Sequence, residues 1–550
     1  MLKKILNGQA KTITSAAIII GAASLASRLL GVIRDRVLAS QFGVGDTLDA
    51  YYAAFRIPDT IFNLIVLGAL SAGFIPIFSE LVDENKEKAW KFANNTLSIL
   101  FAVLAIVCGV LFIFTPWIMH YIAPGFEGEK FDMTVNLTRI MFVSPMLLGI
   151  SSLFGGILQS FKRFLVYSLA PIFYNIGIIL GAVVFTNFWG VNGLAIGVVL
   201  GALMHLLIQL PTAEFLGFRF TFVLDLKDKY IREIGTIMIP RMLSLAVSQF
   251  NFIIITIIAS LMEAGSLTVF NFANNLQNFP IGIFGISFAI AAFPTLCELS
   301  KNKDKDVFVE EFSNTVRQIL FFIVPISVLF IALRAQIVRV ILGGGLFDWN
   351  ATIITADALG IFALFMFAQA LIPLFVRAFF AFKDSKTPFY IGAVSVIINI
   401  ILAVVLTKPM YLLGMNFNLG VKGLALSYSI SMIINLMLLW VFLKIRLGAL
   451  NESKVMVSLS KFLIASSLMA VVVQFMKFGV ESFFGTETFW GVFLQGLISG
   501  VVGLAIFVVV GVFINMQELT TLLASLKKKL LKQKTGLAES EGIDGSVEEF

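Results

Sequence analysis

Residues 13–81 read ITSAAIIIGAASLASRLLGVIRDRVLASQFGVGDTLDAYYAAFRIPDTIFNLIVLGALSAGFIPIFSEL. The stretch is long and apolar enough for two membrane-crossing helices, yet it holds Arg28, Arg34, Arg36 and Arg56. A charged side chain at the bilayer centre costs about 2.5–3.5 kcal/mol on insertion scales, so such residues face a bundle interior or a watery cavity and mark the path of something charged. A guanidinium offers a planar fork of N–H donors that suits phosphate and carboxylate. The stretch therefore predicts a membrane protein with an internal site for an anion.

The composition agrees. Hydrophobic residues make up 59% of the 550 and charged residues 13%, with 56 Phe, more apolar surface than a water-soluble fold can hide. Cys108 and Cys297 suggest neither a disulfide framework nor a metal site, and His120 and His205 are far apart. No P-loop or dinucleotide fingerprint appears, so no cofactor is expected. The opening MLKKILNGQAK is basic and runs into apolar sequence without a small-residue cleavage site, which reads as a retained first helix.

A span needs about 20 mostly apolar residues. Fourteen are expected, near 13–40, 50–79, 92–121, 134–159, 165–187, 191–215, 234–261, 266–296, 312–341, 352–381, 388–407, 420–443, 457–477 and 488–514. Lysine and arginine then sort by loop. One side collects Lys3, Lys4 and Lys11, Lys86 to Lys91, Lys162 and Arg163, Arg219 to Arg232, Lys301 to Lys305, Lys383 and Lys386, Lys444 to Lys454 and the tail lysines; the other holds Lys130, Lys408 and Lys477. The positive-inside rule places both termini in the cytoplasm. The net charge of +7 then reflects topology and contact with anionic lipid, not nucleic-acid binding.

The chain repeats itself. GVNGLAIG at 190–197 recurs as GVKGLALS at 420–427, Asn175 matches Asn399, Phe161-Lys162 matches Phe382-Lys383, and Ala39-Ser40 matches Ala259-Ser260. The offset of about 220–230 residues is six helices, an even number, so both copies enter the membrane in the same sense. The expected architecture is an all-α polytopic membrane protein with two six-helix lobes, 1–218 and 219–446, in parallel pseudo-twofold repeat. Two C-terminal helices follow in 447–516, then a tail, 517–550, that is basic and amphipathic before turning acidic.

Ser24, Arg28, Gly31 and Asp35 fall at i, i+4, i+7 and i+11 and form one polar stripe on the first helix. Arg28 and Arg34 are candidate anion ligands; for Arg28 the structural alternative is a pair with Asp35 or with an acid on another helix. For Arg36 an interfacial role competes with a cavity role. Asp49 begins the second helix, which carries Arg56 two residues before Pro58; Arg56 is either a ligand or the ion-pair partner of Asp49 or Asp59. Arg241 follows Pro240 at the start of the second repeat and is a further candidate. NFANNLQNFPIGIFGIS places Asn271, Asn274, Asn275, Gln277 and Asn278 on one span, which reads as interhelical hydrogen bonding or as a polar cavity wall.

SRLLGVIRD, FGVGDTLDAYYAAFRIPD, LGALSAGFIPIFSE, SQFN at 248–251 and GGGLFDWNATIITADAL at 343–359 resemble the MurJ/MviN lipid II flippases of the MOP exporter superfamily, over nearly all of the expected helices. The resemblance implies a carrier, not an enzyme, that moves an undecaprenyl-pyrophosphate-linked peptidoglycan precursor to the outer leaflet of the bacterial cytoplasmic membrane. It implies a cationic cavity between two lobes, a lipid-tail groove at the last two helices, and cell-wall synthesis proteins as possible partners. Arg28, Arg34, Asp35 and Asp49 match cavity positions of the family. The chain departs from the family at Phe62 and Asn275, where arginines are common, and at Ala72, where glutamine is. The competing readings are another carrier of that superfamily, for lipid-linked oligosaccharide or drugs, a degenerate scaffold relative, and a membrane glycosyltransferase. The last needs acidic or histidine clusters in sizeable loops, and loops such as YIAPGFEGEKFD offer none.

Overall fold

A computed structural model describes residues 13–68, 73–302, 304–408, 410–412, 415–417 and 419–524. Lys3, Lys4, Lys11, Ala72, Lys303 and the tail beyond residue 524 lie outside the described residues.

Ten described helices are long and apolar enough to cross a membrane. Two bent pairs, Lys229–Leu243 with Leu245–Ser260 and Trp349–Leu364 with Met366–Ala381, bring the number to 12. The fold is thus helical and multi-pass, with ten to 12 candidate spans among the described residues where fourteen are expected. The stretches not counted are the first two. Ile13–Phe42 is an unbroken helix that carries Arg28, Arg34, Asp35 and Arg36. The second runs through Asp46–Ile61, a π-helical turn Phe62–Leu67 and Ile75–Glu84, and is described on either side of 69–72. Apolar side chains such as Ile106, Ile113, Phe475 and Phe513 are left exposed along the spans, where a bilayer rather than water removes their cost. One departure from an all-helical chain is a small antiparallel hairpin, Met410–Leu412 with Met415–Phe417.

The chain divides into two compact units. The first comprises Met1–Phe279, Val338–Phe362 and Phe389–Asn435. Its core stacks Phe74 on Phe78 and Phe92, with ring centroids 5.2 and 5.5 Å apart, and Trp90 on Phe161 at 5.9 Å. Glycines at four-residue spacing let two of its helices touch backbone to backbone. A Cβ on Gly177 would lie 2.3 Å from the Gly201 Cα, and one on Gly181 would lie 2.5 Å from the Gly197 Cα.

The second unit comprises Pro280–Ile337, Ala363–Pro388 and Leu436–Phe550. Phe312 meets Phe375 edge-on at 4.9 Å, and Phe321 meets Phe462 at 5.7 Å. Helices Glu452–Phe484 and Phe489–Phe513 pack along each other, with Gly503 under Val473. The loop before Lys386–Leu406 is fixed by Asp384, which accepts from Thr387 N–H at 3.0 Å, Thr387 Oγ1 at 2.8 Å and Arg446 at 2.9 Å. Partial burial works against the Asp384 charge, but the Thr387 hydrogen bonds and Arg446 outweigh it and hold the carboxyl below its ordinary range.

Local geometry carries the repeat. Lys162 and Lys383 both adopt a left-handed backbone, with φ of 58° and 59°, immediately after a helix end. Each follows a phenylalanine of nearly identical conformation, Phe161 at φ −88° and Phe382 at φ −87°. π-Helical turns recur at Phe62–Leu67 and Ile281–Ile286. Asn175 accepts from Arg34, and Asn399 donates to Asn251, so each asparagine ties its helix to the first helix of its own half.

Candidate functional site

Within the first unit, helices Ile13–Phe42, Asp46–Ile61, Lys229–Ser260 and Ser266–Pro280 line a cavity of about 300 Å³. Helical spacing explains which side chains reach it. Tyr52, Phe55, Arg56 and Asp59 lie at i, i+3, i+4 and i+7, one face of their helix, and Asn63 continues the stripe. Asn271, Asn274 and Asn275 form the facing polar wall. Leu38 and Phe252 contribute apolar surface.

The two cavity arginines differ in how fully they are engaged. Arg34 donates from Nε at 3.0 Å and from Nη2 at 2.8 Å to the same Asp35 oxygen, and from Nη1 to Asn175 Oδ1 at 3.1 Å. The other Asp35 oxygen accepts from Asn275 Nδ2 at 3.0 Å. Arg34 is therefore charge-compensated. Asn275, at a position where the resembled family often carries arginine, contributes a neutral donor to that compensation. Arg56 donates from Nε to Thr256 Oγ1 at 2.7 Å and from Nη2 to Asn271 Oδ1 at 2.9 Å. Its guanidinium lies 5.5 Å from the Phe252 ring centre, within cation–π range. No carboxylate ion-pairs with it among the described residues, and Nη1 is not spent on a described partner. Asp59 is exposed and lines the cavity; its backbone carbonyl accepts from Asn63 Nδ2 at 2.8 Å, and its carboxylate has no described hydrogen-bond or ion-pair partner. Neither ion pair expected for Arg56, with Asp49 or with Asp59, forms.

Asp49 lies away from this lining, 1% exposed. One oxygen accepts from Lys130 Nζ at 3.1 Å and Gly265 N–H at 2.7 Å. The other accepts from Thr268 N–H at 2.9 Å and Thr268 Oγ1 at 2.7 Å. The carboxylate thus caps helix Ser266–Pro280 from another helix, where negative charge meets the positive end of the helix dipole. Gly265 makes the approach possible: its φ is +90°, and a Cβ there would sit 2.3 Å from the Val44 side chain. Lys130 also pairs with Asp46 at 2.7 Å. The structure gives Asp49 saturated contacts outside this lining.

Arg28 is half-buried without a described partner, and Asp35 pairs with Arg34 rather than with it. Arg241 is exposed and outside the lining. Arg36 is outside the lining of this cavity; it donates to the Val340 and Ile341 carbonyls at the end of helix Arg334–Leu342. The structure thus gathers Arg34, Asp35, Arg56 and Asn275, and leaves Arg28, Arg241 and Asp49 elsewhere. The residues that sequence reasoning passed over are Tyr52, Gln249 and Thr256; Asp59 was weighed only as an ion-pair partner of Arg56. Tyr52 and Asp59 were readable as i−4 and i+3 neighbours of Arg56. Gln249 and Thr256 required knowing which helix faces it. No group of three or more metal-ligating side chains occurs among the described residues.

Comparison with known proteins bears on this arrangement. The family model described as Lipid II flippase MurJ matches residues 38–499, a range that opens just past Arg34 and Asp35. A probable lipid II flippase MurJ of Rhizobium meliloti (strain 1021) is 27% identical over 539 residues, covering 96% of this chain and 98% of that protein. One from Thermotoga maritima is 28% identical over 497 residues, covering 90% and 96%. Among solved structures, a lipid II flippase MurJ in an inward closed conformation superposes with a TM-score of 0.73 at 23% identity, covering 90% of this chain and 98% of that one. An inward-facing MATE multidrug resistance transporter of the MOP superfamily gives 0.65 at 16% identity, covering 79% and 99%. The two structures establish a shared fold.

Proposed function

The chain belongs to the Lipid II flippase MurJ family, and from that membership we propose that it carries lipid II, an undecaprenyl-pyrophosphate-linked glycan, from the inner to the outer leaflet of the bacterial cytoplasmic membrane. The protein is a multi-pass carrier rather than an enzyme, with both termini in the cytoplasm, two six-helix lobes and two appended helices that guide the lipid tail. The headgroup enters from the cytoplasmic side, the lobes rock, and it leaves outside while its tail stays in lipid.

The observation that carries the anion-handling part of this reading is Arg56. It lines the cavity with unspent Nη donors and no paired carboxylate, the state in which a guanidinium can take a pyrophosphate oxygen at the least cost. Arg34 is the second ligand, and its hold on Asp35 must loosen as the phosphate arrives. Asn271 and Thr256 orient Arg56; Asn275 holds Asp35 in place while Arg34 moves. Arg28 enters only where the passage lengthens toward it.

The test is rescue of flippase-depleted bacteria, with labelling of lipid II that reaches the outer surface. Arg56→Ala, expressed at the normal level, should cut externalised lipid II by roughly 10–100-fold. Wild-type export by this variant would remove Arg56 from pyrophosphate binding. Export of an organic cation is the rival that Asp59 favours, since its carboxylate faces the cavity unpaired. Drug efflux lost in Asp59→Asn, with lipid II export intact, would favour that rival.

A further inference from the structure

We propose that a second groove of the first unit, separate from the arginine cavity, binds a membrane glycerophospholipid through its phosphodiester. The groove measures about 620 Å³ and lies between the end of helix Lys86–Ile113, the span Gly128–Ser160 and helix Asn192–Leu207.

Two helices line it with the same residue types at the same spacing. Asn136, Ile140 and Val143 fall at i, i+4 and i+7 on one, and Asn192, Ile196 and Val199 at i, i+4 and i+7 on the other. Seven residues of helix rise about 10.5 Å. The spans expected at 134–159 and 191–215 both enter from the face opposite the lysine-rich loops, so both amides fall in the first turn of their spans and both valines lie deeper. Asn136, Asn192 and Val143 are exposed, and neither asparagine side chain has a described hydrogen-bond partner. A groove that is polar at the surface and apolar one to two turns below has the profile of a single lipid, headgroup outward and chains inward.

Arg139 supplies the charge. It lines the groove between the two levels, over the Phe112 ring at 5.3 Å, and spends only Nε, in a long 3.4 Å hydrogen bond to the Phe112 carbonyl. Its Nη donors have no described partner. No acidic side chain lines the groove. One cation without a carboxylate fits one phosphodiester negative charge. An anionic lipid such as phosphatidylglycerol is favoured over a zwitterionic one, whose ammonium would find no counter-charge. The inference does not depend on the flippase reading, because none of these residues touches the arginine cavity.

Native mass spectrometry of the purified full chain, titrated with phosphatidylglycerol, phosphatidylcholine or soluble glycerol 3-phosphate, tests it. The expected result is a first phosphatidylglycerol bound more tightly than phosphatidylcholine, with no binding of glycerol 3-phosphate. Arg139→Ala should weaken that event about tenfold. Val199→Trp, which fills the apolar end and leaves the charge, should weaken it as well. Melting temperatures without lipid establish that both variants are folded. Wild-type lipid binding by both folded variants overturns the proposal. So does weakening by Val199→Trp alone, which would mark a purely apolar ligand, and so does equal binding of glycerol 3-phosphate, which would mark a simple phosphate site.

Discussion

Asp49 and Arg56 sit two turns apart on the same helix, and both are charges that the sequence places inside a membrane segment. Around Asp49 the protein supplies four donors, from Lys130, the Gly265 amide, and the Thr268 amide and hydroxyl, and both carboxylate oxygens are doubly used. Around Arg56 it supplies two neutral acceptors and one aromatic face, and leaves the Nη1 end open to a cavity. A buried charge whose hydrogen-bonding capacity is filled holds helices together; one whose capacity is partly open is available to a ligand. Saturation, more than burial, separates the structural charge from the candidate site.

Asp49→Ala gives the largest expected effect and the most direct attempt to break the comparison. Removing one partner of a buried charge pair costs about 3–5 kcal/mol. The variant should melt well below the wild type in detergent whether or not substrate is present. If it melts normally and only transport suffers, Asp49 belongs with Arg56 and the distinction fails. Next, Arg56→Ala should do the reverse, losing roughly 10–100-fold in lipid II export while its melting temperature stays near the wild type. A collapse in stability would make Arg56 structural.

Thr268→Val refines the first half of the comparison. It removes one hydroxyl donor and leaves the amide, so it should cost about 0.5–1.5 kcal/mol, a fraction of the Asp49→Ala loss, measured by thermal unfolding. The smallest effect is expected at Asp384, a saturated carboxylate outside the spans. Its folded-state pKa is lowered, so its contribution is present above the unfolded value of about 3.9 and is lost as pH falls through the lower folded value. Asp384→Asn should flatten the acid limb of the stability profile slightly; an unchanged limb would mean that the Thr387 and Arg446 contacts do not form in solution.

The same contrast explains how much of the molecule was legible in its sequence. The repeat was, because motifs such as GVNG and GVKG and the Phe-Lys turns encode local backbone geometry, and Lys162 and Lys383 adopt the same left-handed conformation. The Arg56 stripe was half legible, since Tyr52 and Asp59 follow from helical spacing alone. The π-helical turns and the Met410–Leu412 hairpin were not, because no residue type in those stretches marks them. The partners of Asp49 and Arg36 were not legible for a related reason. An aspartate and an arginine in an apolar stretch look like ligands until the backbone groups that satisfy them, at Gly265, Thr268, Val340 and Ile341, are brought alongside.

By itself the sequence determined a helical multi-pass membrane protein, its internal repeat, and the fact that arginines enter its first two helices. Those properties follow from hydropathy, loop charge and spacing, which act over one helix or one turn. Only the tertiary structure decided which charges remain open, because the groups that fill Asp49 lie 81 to 219 residues away along the chain, and those that orient Arg56 lie 200 and 215 away. In a bilayer no water satisfies what the protein leaves unmade. The fate of each buried charge is therefore set by distant partners, and local sequence does not contain them.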